Sequence, residues 1–125
     1  MKKVIITDQA PAVIGPYNQA VEVNGTLYIS GQIPVNPQTS KIVDGDVTAQ
    51  AEQVFKNIEA VLVAAGYAFT DVVKSTVFLA DMSLFQSLNE VYKKYYTSNF
   101  PARTTIAVKG LPLGALVEIE TIAVK

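Results

Sequence analysis

The chain has 125 residues, half of them apolar, and its ten lysine and arginine residues nearly balance its eleven aspartate and glutamate residues, for a net charge of −1. That length fits one compact domain with an ordinary hydrophobic core, and the composition excludes a disordered chain. Cysteine, histidine and tryptophan are absent. Their absence excludes disulfide scaffolds, Cys/His zinc sites and catalytic triads that depend on histidine.

The charge distribution and the apolar runs limit which partners the chain can bind and which cell compartment we expect for it. A nucleic-acid binder needs a basic face to displace counterions, and the longest basic runs here are Lys2-Lys3 and Lys93-Lys94. No apolar run approaches the roughly 20 residues of a membrane span, and the N-terminal apolar stretch is too short for a secretory signal. We therefore expect a cytoplasmic protein that binds neither nucleic acid nor membranes.

The first 46 residues predict a strand, a loop and a hairpin. Residues 3–6 form a short apolar strand, and an extended loop rich in proline and glycine follows it. Residues 20–23 and 26–33 flank Asn24-Gly25, which is the strongest short-range signal for a hairpin. A polar loop then continues to Asp46.

A long helix and a third strand region follow. Apolar residues recur at helical spacing from Val47 to Ala65. Asp46 is placed to cap the start of this helix, and Gly66 suits the left-handed position after its end. Residues 72–79 are rich in β-branched side chains and predict a strand.

The last third of the chain predicts a second helix and two strands. An apolar stripe extends from Leu84 to Tyr96, with capping-box spacing at residues 83–86, and Phe100-Pro101 ends the helix. Residues 104–108 and 116–124 are the predicted strands. A simple hairpin between them would place Arg103 nearer to Glu120 than to Glu118, and a shift of two residues would reverse this.

This element order predicts a two-layer α+β domain, in which both helices cover one face of a single mixed sheet. Strand alternation groups two mixed sets of side chains on the last two strands. The sets are Arg103, Thr105, Ala107 and Lys109, and Leu116, Glu118, Glu120 and Ile122. Apolar residues beside charges favour a subunit interface over open water, so we expect both sets at the interface of a homo-oligomer.

Arg103 is the first candidate functional residue, because it is the only arginine of the chain. A guanidinium grips a carboxylate through two parallel hydrogen bonds, which a lysine ammonium does not do. A structural arginine that pairs with a glutamate or with the carboxyl end of a helix is the alternative.

Two acidic residues and several polar ones are further candidates. Glu118 and Glu120 interrupt an apolar strand on one face, where one of them could act as a general base; the alternative is a solvated or salt-bridged pair. The other candidates and their alternatives are Tyr17 (packing at a loop base), Ser30-Gly31 (a β-bulge) and Asn89 (a polar residue beside an apolar stripe).

Four segments in order resemble the Rid/YjgF family, the reactive intermediate deaminases. They are Gly-Pro-Tyr-Asn-Gln-Ala at 15–20, Leu-Tyr-Ile-Ser-Gly-Gln-Ile at 27–33, Phe-Pro-Ala-Arg at 100–103 and Leu-Val-Glu-Ile-Glu at 116–120. The resemblance covers essentially the whole chain. It implies one domain over residues 1–125 with a chorismate-mutase-like α+β fold, and a homotrimer whose sheets line a central barrel, with a site in each subunit cleft.

The resemblance also implies an activity. Family members hydrolyse 2-imino acids and their enamine tautomers, such as 2-iminobutanoate and 2-iminopropanoate, to 2-oxo acids and ammonia, without a cofactor or a metal ion. These imines escape from pyridoxal-phosphate enzymes that dehydrate serine or threonine, so the implied role is the control of metabolite damage.

Matching positions assign roles to residues of this chain. Arg103 resembles the anchor of the substrate carboxylate, and Glu118 resembles the residue that orients or activates the attacking water, with Glu120 in reserve. The positions that match the pocket lining are Tyr17, Ser30, Gly31, Asn89 and Thr105. Thr105 stands where many members have cysteine, which keeps a backbone N–H for the substrate but removes the thiol.

Two other functions stay open. A non-catalytic trimer that binds small carboxylates and regulates or protects partners would use Arg103 but not Glu118. An endoribonuclease, an activity reported for some relatives of the family, is disfavoured because the chain lacks histidine and a basic patch.

Overall fold

Eight strands and two helices make up the computed structural model, which describes residues 1–125. The strands are β1 (Lys3–Ile5), β2 (Ala20–Val23), β3 (Thr26–Gln32), β4 (Val35–Asn36), β5 (Lys41–Ile42), β6 (Val72–Leu79), β7 (Ala102–Ala107) and β8 (Val117–Val124). The helices are α1 (Val47–Ala65) and α2 (Phe85–Tyr95), and short 3-10 turns lie at Phe69–Asp71, Met82–Leu84 and Pro112–Gly114. Six strands form one mixed sheet in the order β1-β2-β3-β8-β6-β7, with both helices on one face. The predicted two-layer α+β class is confirmed.

The predicted hairpin between the last two strands is wrong, because β6 lies between β7 and β8. β7 runs parallel to β6, with Arg103 opposite Ser75, and β8 runs antiparallel to β6 on its other side. Parallel neighbours need a long crossover instead of a tight turn, and the segment containing α2 supplies it. The chain after β7 must then return from the sheet edge to the sheet centre.

This strand order separates the two mixed sets of side chains. Ser75 is buried on the helix-covered face, so its partner Arg103 points to that face too. Phe78 points to the opposite face of β6 and is paired with Glu118. Arg103 and Glu118 therefore lie on opposite faces of the sheet. The expectation that both sets share one interface face is wrong, because alternation shows which residues share a face but not which face that is.

The first helix follows the prediction at both ends. The Asp46 carboxylate accepts a hydrogen bond from the Ala49 N–H at 3.2 Å. Gly66 ends the helix with φ of 82°, in the left-handed region that glycine adopts without strain. Between these caps, α1 buries one apolar stripe against β3 and β8.

The second helix and the loop before α1 differ from the prediction. The capping box at residues 83–86 does not form, because the Asp81 carboxylate accepts from the Ser83 N–H and starts a 3-10 turn instead. The helix α2 begins at Phe85 and ends at Tyr95, well before Pro101. The segment predicted as a polar loop contains the small hairpin of β4 and β5, whose two-residue strands are too short to show a periodicity.

The sheet face away from the helices is partly apolar. Four of its large apolar side chains are between 42% and 45% exposed: Val4, Tyr28, Ile106 and Val124. Glu118 and Glu120 lie among them on the same face, as the alternation predicted. A face of this composition is typical of a protein interface, which supports the expected self-association. Neither helix has the combination of length and apolarity that crossing a membrane would demand.

Candidate active site

Arg103 lies on the edge strand β7 beneath α2. Its Nη1 donates a hydrogen bond to Asn89 Oδ1 at 2.7 Å. Its guanidinium carbon lies 4.7 Å from the ring centroid of Tyr92 and 5.5 Å from that of Phe85, within cation–π range. One amide and two rings therefore fix the guanidinium while leaving most of its five donors unused.

No carboxylate neutralises this arginine. The two ion pairs of the chain join Lys93 to Glu90 and Lys94 to Glu52, and neither includes Arg103. The alternative of a structural pairing with a glutamate therefore does not describe this guanidinium. Its charge remains available to an anion from outside the chain.

An open cavity of about 350 Å³ begins at the guanidinium. Its lining is Asn89, Tyr92, Lys93, Phe100, Pro101 and Arg103. Of its two cations, Lys93 is paired with Glu90, which leaves the Arg103 guanidinium as the unneutralised charge, so the cavity favours a small anion. Phe100 is 66% exposed at its rim, an apolar surface that the folded chain itself does not use.

Thr105 lies two residues further along β7 and points to the same face as Arg103. Its hydroxyl oxygen is buried and has no hydrogen-bond partner within the chain. Asn89, Arg103 and Thr105 thus form one group of the predicted site residues, on the helix side of the sheet.

Glu118 lies on the opposite face, next to the bulge that interrupts β3. A Cβ atom added to Gly31 would overlap the Glu118 carboxylate, so the glycine is needed for this close approach. Burial, together with the neighbouring Glu120, raises the pKa of the Glu118 carboxyl above its usual value. Such a carboxylate is a stronger base than a solvated one.

Ser30 precedes Gly31 on β3 and Tyr17 shares a cavity with Gly31, but the two residues have different environments. The Ser30 hydroxyl donates to the Asn18 carbonyl at 2.6 Å, and the Ser30 N–H donates to the Gln19 carbonyl at 2.9 Å. The hydroxyl thus ties the preceding loop to the bulge, which is the structural alternative for this residue. Tyr17 is 53% exposed, and with Gly31 it lines a second cavity of about 300 Å³.

Gln19 is a structural residue of the site that sequence reasoning missed. Its Oε1 accepts from the Thr7 N–H at 2.7 Å, while its Nε2 donates to the carbonyls of Thr7 at 3.0 Å and Pro11 at 2.9 Å. These bonds hold the loop before Tyr17 against the sheet. Tyr92 was likewise predicted only as part of an apolar stripe, whereas its ring supports Arg103. Only two sequence signals point to that contact. Arg103 is the only arginine, and Tyr92 lies in the helix that follows β6, the strand paired with β7.

The predicted site residues therefore form two groups that one chain does not unite. Asn89, Arg103 and Thr105 lie on the helix side, whereas Tyr17, Gly31 and Glu118 belong to the second cavity and the open face. Each group is chemically incomplete, since one has a cation without a base and the other has a base without a cation.

The structure is a small two-layer α+β domain with two helices on one face of a mixed sheet. Its candidate functional groups are an arginine without a carboxylate partner and a half-buried glutamate. Residues 7–125 match the family model described as Endoribonuclease L-PSP. The human 2-iminobutanoate/2-iminopropanoate deaminase is 50% identical, over 100% of this chain and 91% of its own length.

Solved structures agree with this match. A Yersinia pestis protein of the conserved Rid family superposes with a TM-score of 0.97 at 48% identity, over the whole of both chains. Escherichia coli TdcF, crystallised with bound serine, has a TM-score of 0.94 at 43% identity and covers 98% of each chain. The chain belongs to the Rid/YjgF family.

Proposed function

We propose that this protein hydrolyses small 2-imino acids, including 2-iminobutanoate and 2-iminopropanoate, to 2-oxo acids and ammonia. The observation that carries the proposal is the Arg103 guanidinium, which Asn89 holds at 2.7 Å, which no carboxylate neutralises, and which opens onto a cavity. The name of the human relative, and the serine bound to TdcF, support a small substrate of the 2-amino acid type.

Substrate binding follows from the geometry of the guanidinium. Because Asn89 uses one donor of Nη1, other N–H groups can make two parallel bonds to the substrate carboxylate. The Tyr92 and Phe85 rings restrict the guanidinium plane, so the carboxylate and the carbon bonded to it have a defined position. Orientation contributes much of the catalysis when the substrate is already electrophilic.

The chemistry requires a base and no redox step. Water adds to the carbon of the C=N bond while the Glu118 carboxylate takes one of its protons. That proton passes to the nitrogen, which gives a tetrahedral intermediate with one hydroxyl and one amino group. Glu118 then transfers the hydroxyl proton to the nitrogen as the C=O bond forms and the C–N bond breaks, and ammonia leaves. The products are one 2-oxo acid and one ammonia for each imine and water consumed.

The complete site is formed by two copies of the chain. Arg103 and Glu118 point to opposite sheet faces of one chain, so a substrate that contacts both must lie between copies. The partly apolar open face, with its exposed Tyr28 and Ile106, is the surface that such an assembly would bury. We propose the homotrimer that the family resemblance implies, with the open faces turned inward.

The test is the substitution of Arg103. An ammonium cannot reproduce the bidentate contact, so we expect Arg103→Lys to lower kcat/KM on 2-iminobutanoate, generated in situ, by about a hundredfold, or roughly 3 kcal/mol of transition-state binding. Lys93→Met, which removes the exposed cation of the same cavity, is the matched control and should retain most activity. Near-normal turnover by Arg103→Lys would refute the proposal. Wild-type protein that binds 2-oxobutanoate without turning over the imine would support a non-catalytic carboxylate binder.

A further inference from the structure

Leu113 occupies a position that the folding of the chain does not explain. It lies in the turn between β7 and β8 with φ of 57° and ψ of 23°, the left-handed region that disfavours a bulky side chain. The side chain is also 71% exposed. The other residues with positive φ, apart from glycines, are polar: Asn24, Ser40 and Asn99. An exposed leucine in a strained backbone therefore suggests a role outside the packing of this chain.

The side chain lines the cavity that contains Tyr17 and Gly31. Ile14, which is 89% exposed, lies on the same cavity, so two apolar side chains meet the solvent there. Gly31, which lines this cavity, also lies against the Glu118 carboxylate, because a Cβ atom added to the glycine would overlap it. The cavity is thus one residue away from the group that we propose as the base.

The two cavities differ in charge, so they suit different parts of a 2-imino acid. The cavity at Arg103 is lined by a guanidinium that no carboxylate neutralises. The cavity of Ile14, Tyr17 and Leu113 has no charged lining residue. The cavity at Arg103 stabilises a substrate carboxylate. The cavity at Leu113 favours an apolar side chain, because burying apolar surface there is favourable and no charged lining residue has to be desolvated.

We propose that Leu113, together with Ile14, forms the apolar end of the substrate site and makes the enzyme prefer 2-imino acids with apolar side chains over those with polar ones. This inference rests on the proposed deaminase function, and it adds a specificity-determining residue to that function. Leu113 and Ile14 both line this cavity and are both largely exposed, so their apolar surface is available to a substrate side chain.

The experiment replaces Leu113 by asparagine, which has nearly the same size, is polar and tolerates the left-handed backbone. We expect Leu113→Asn to fold at least as stably as wild type. The ratio of its kcat/KM for the imine of leucine to that for the imine of glutamine should fall by about tenfold, as a lost apolar pocket contact predicts. Val63→Asn, at an exposed apolar residue of α1, is the matched control and should leave the ratio unchanged.

A binding measurement separates this inference from the proposed function. Calorimetry with 4-methyl-2-oxopentanoate and 2-oxopropanoate reports side-chain preference without turnover. If wild type binds the longer acid more tightly and Leu113→Asn loses that preference, the inference stands even where no imine is hydrolysed. If imines are hydrolysed but neither ratio responds to Leu113→Asn, the inference is overturned while the proposed function stands. If the wild type neither hydrolyses imines nor distinguishes the two acids, both are overturned.

Discussion

Mixing two inactive variants tests whether the site is shared between copies. Arg103→Met removes the carboxylate anchor and Glu118→Gln removes the base, so we expect each variant alone to be nearly inactive. In a randomly mixed assembly at equal amounts, a shared site takes its arginine from one copy and its glutamate from another. The copy that supplies the arginine carries Arg103 in half of the sites, and the copy that supplies the glutamate carries Glu118 in half of them. About one quarter of the sites are therefore intact, whatever the number of copies in a ring.

The assay is co-expression, or unfolding and refolding together, followed by deaminase activity per site. Recovery of about one quarter of wild-type activity is the expected result, because Arg103 and Glu118 occupy opposite faces of one chain. The control mixes Arg103→Met with wild type, which should leave about half of the activity under the same statistics. A mixture no more active than the average of its separate components would show that each chain carries its own site, and the argument from the sheet faces would fail.

Two further predictions concern Glu118 and its neighbour. Because the pKa of Glu118 is raised in the fold, its ionised form is less stable there than in the unfolded chain. In an Arg103→Met background, where no guanidinium can face the carboxylate, Glu118→Gln should therefore raise Tm at pH 7, and the gain should vanish as the pH falls below the ordinary glutamate pKa of 4.5, where the carboxyl is also neutral. An equal gain in Tm at pH 7 and at a pH below 4.5 would show that the charge of Glu118 is not the cause. Gly31→Ala should displace the Glu118 carboxylate and lower kcat/KM by about a hundredfold while the protein stays folded, whereas Gly110→Ala, with open space around it, should be neutral. Full activity in Gly31→Ala would show that the close approach has no catalytic role.

The sequence predicted correctly those secondary-structure elements that are determined by residues close together in the chain. The Asn24-Gly25 turn joins β2 and β3 as expected, and the caps at Asp46 and Gly66 bound α1 as expected. In each case, residues only a few positions apart determine the geometry. The start of α2 was missed because Asp81, two residues before Ser83, offers a competing cap.

The site was predicted less completely, because its geometry depends on contacts between distant segments. The unique arginine drew attention to Arg103, whose guanidinium has no carboxylate partner in the structure, but no local pattern shows that β6 lies between β7 and β8. The same strand order decides which face Glu118 takes and brings Gly31 against its carboxylate. Only the pairing of β6 with both neighbours fixes these relations.

The separation of Arg103 and Glu118 within one chain has a chemical consequence for the proposed site. An arginine and a glutamate in direct contact would form an ion pair, which would occupy the guanidinium and lower the pKa of the carboxyl. In the single chain neither occurs, since burial and Glu120 raise the pKa of Glu118 and Asn89 is the hydrogen-bond partner of Arg103. In a site between copies, a substrate carboxylate bound to Arg103 would neutralise the nearby positive charge. Glu118 would then stay basic when substrate is present, which is when a base is needed.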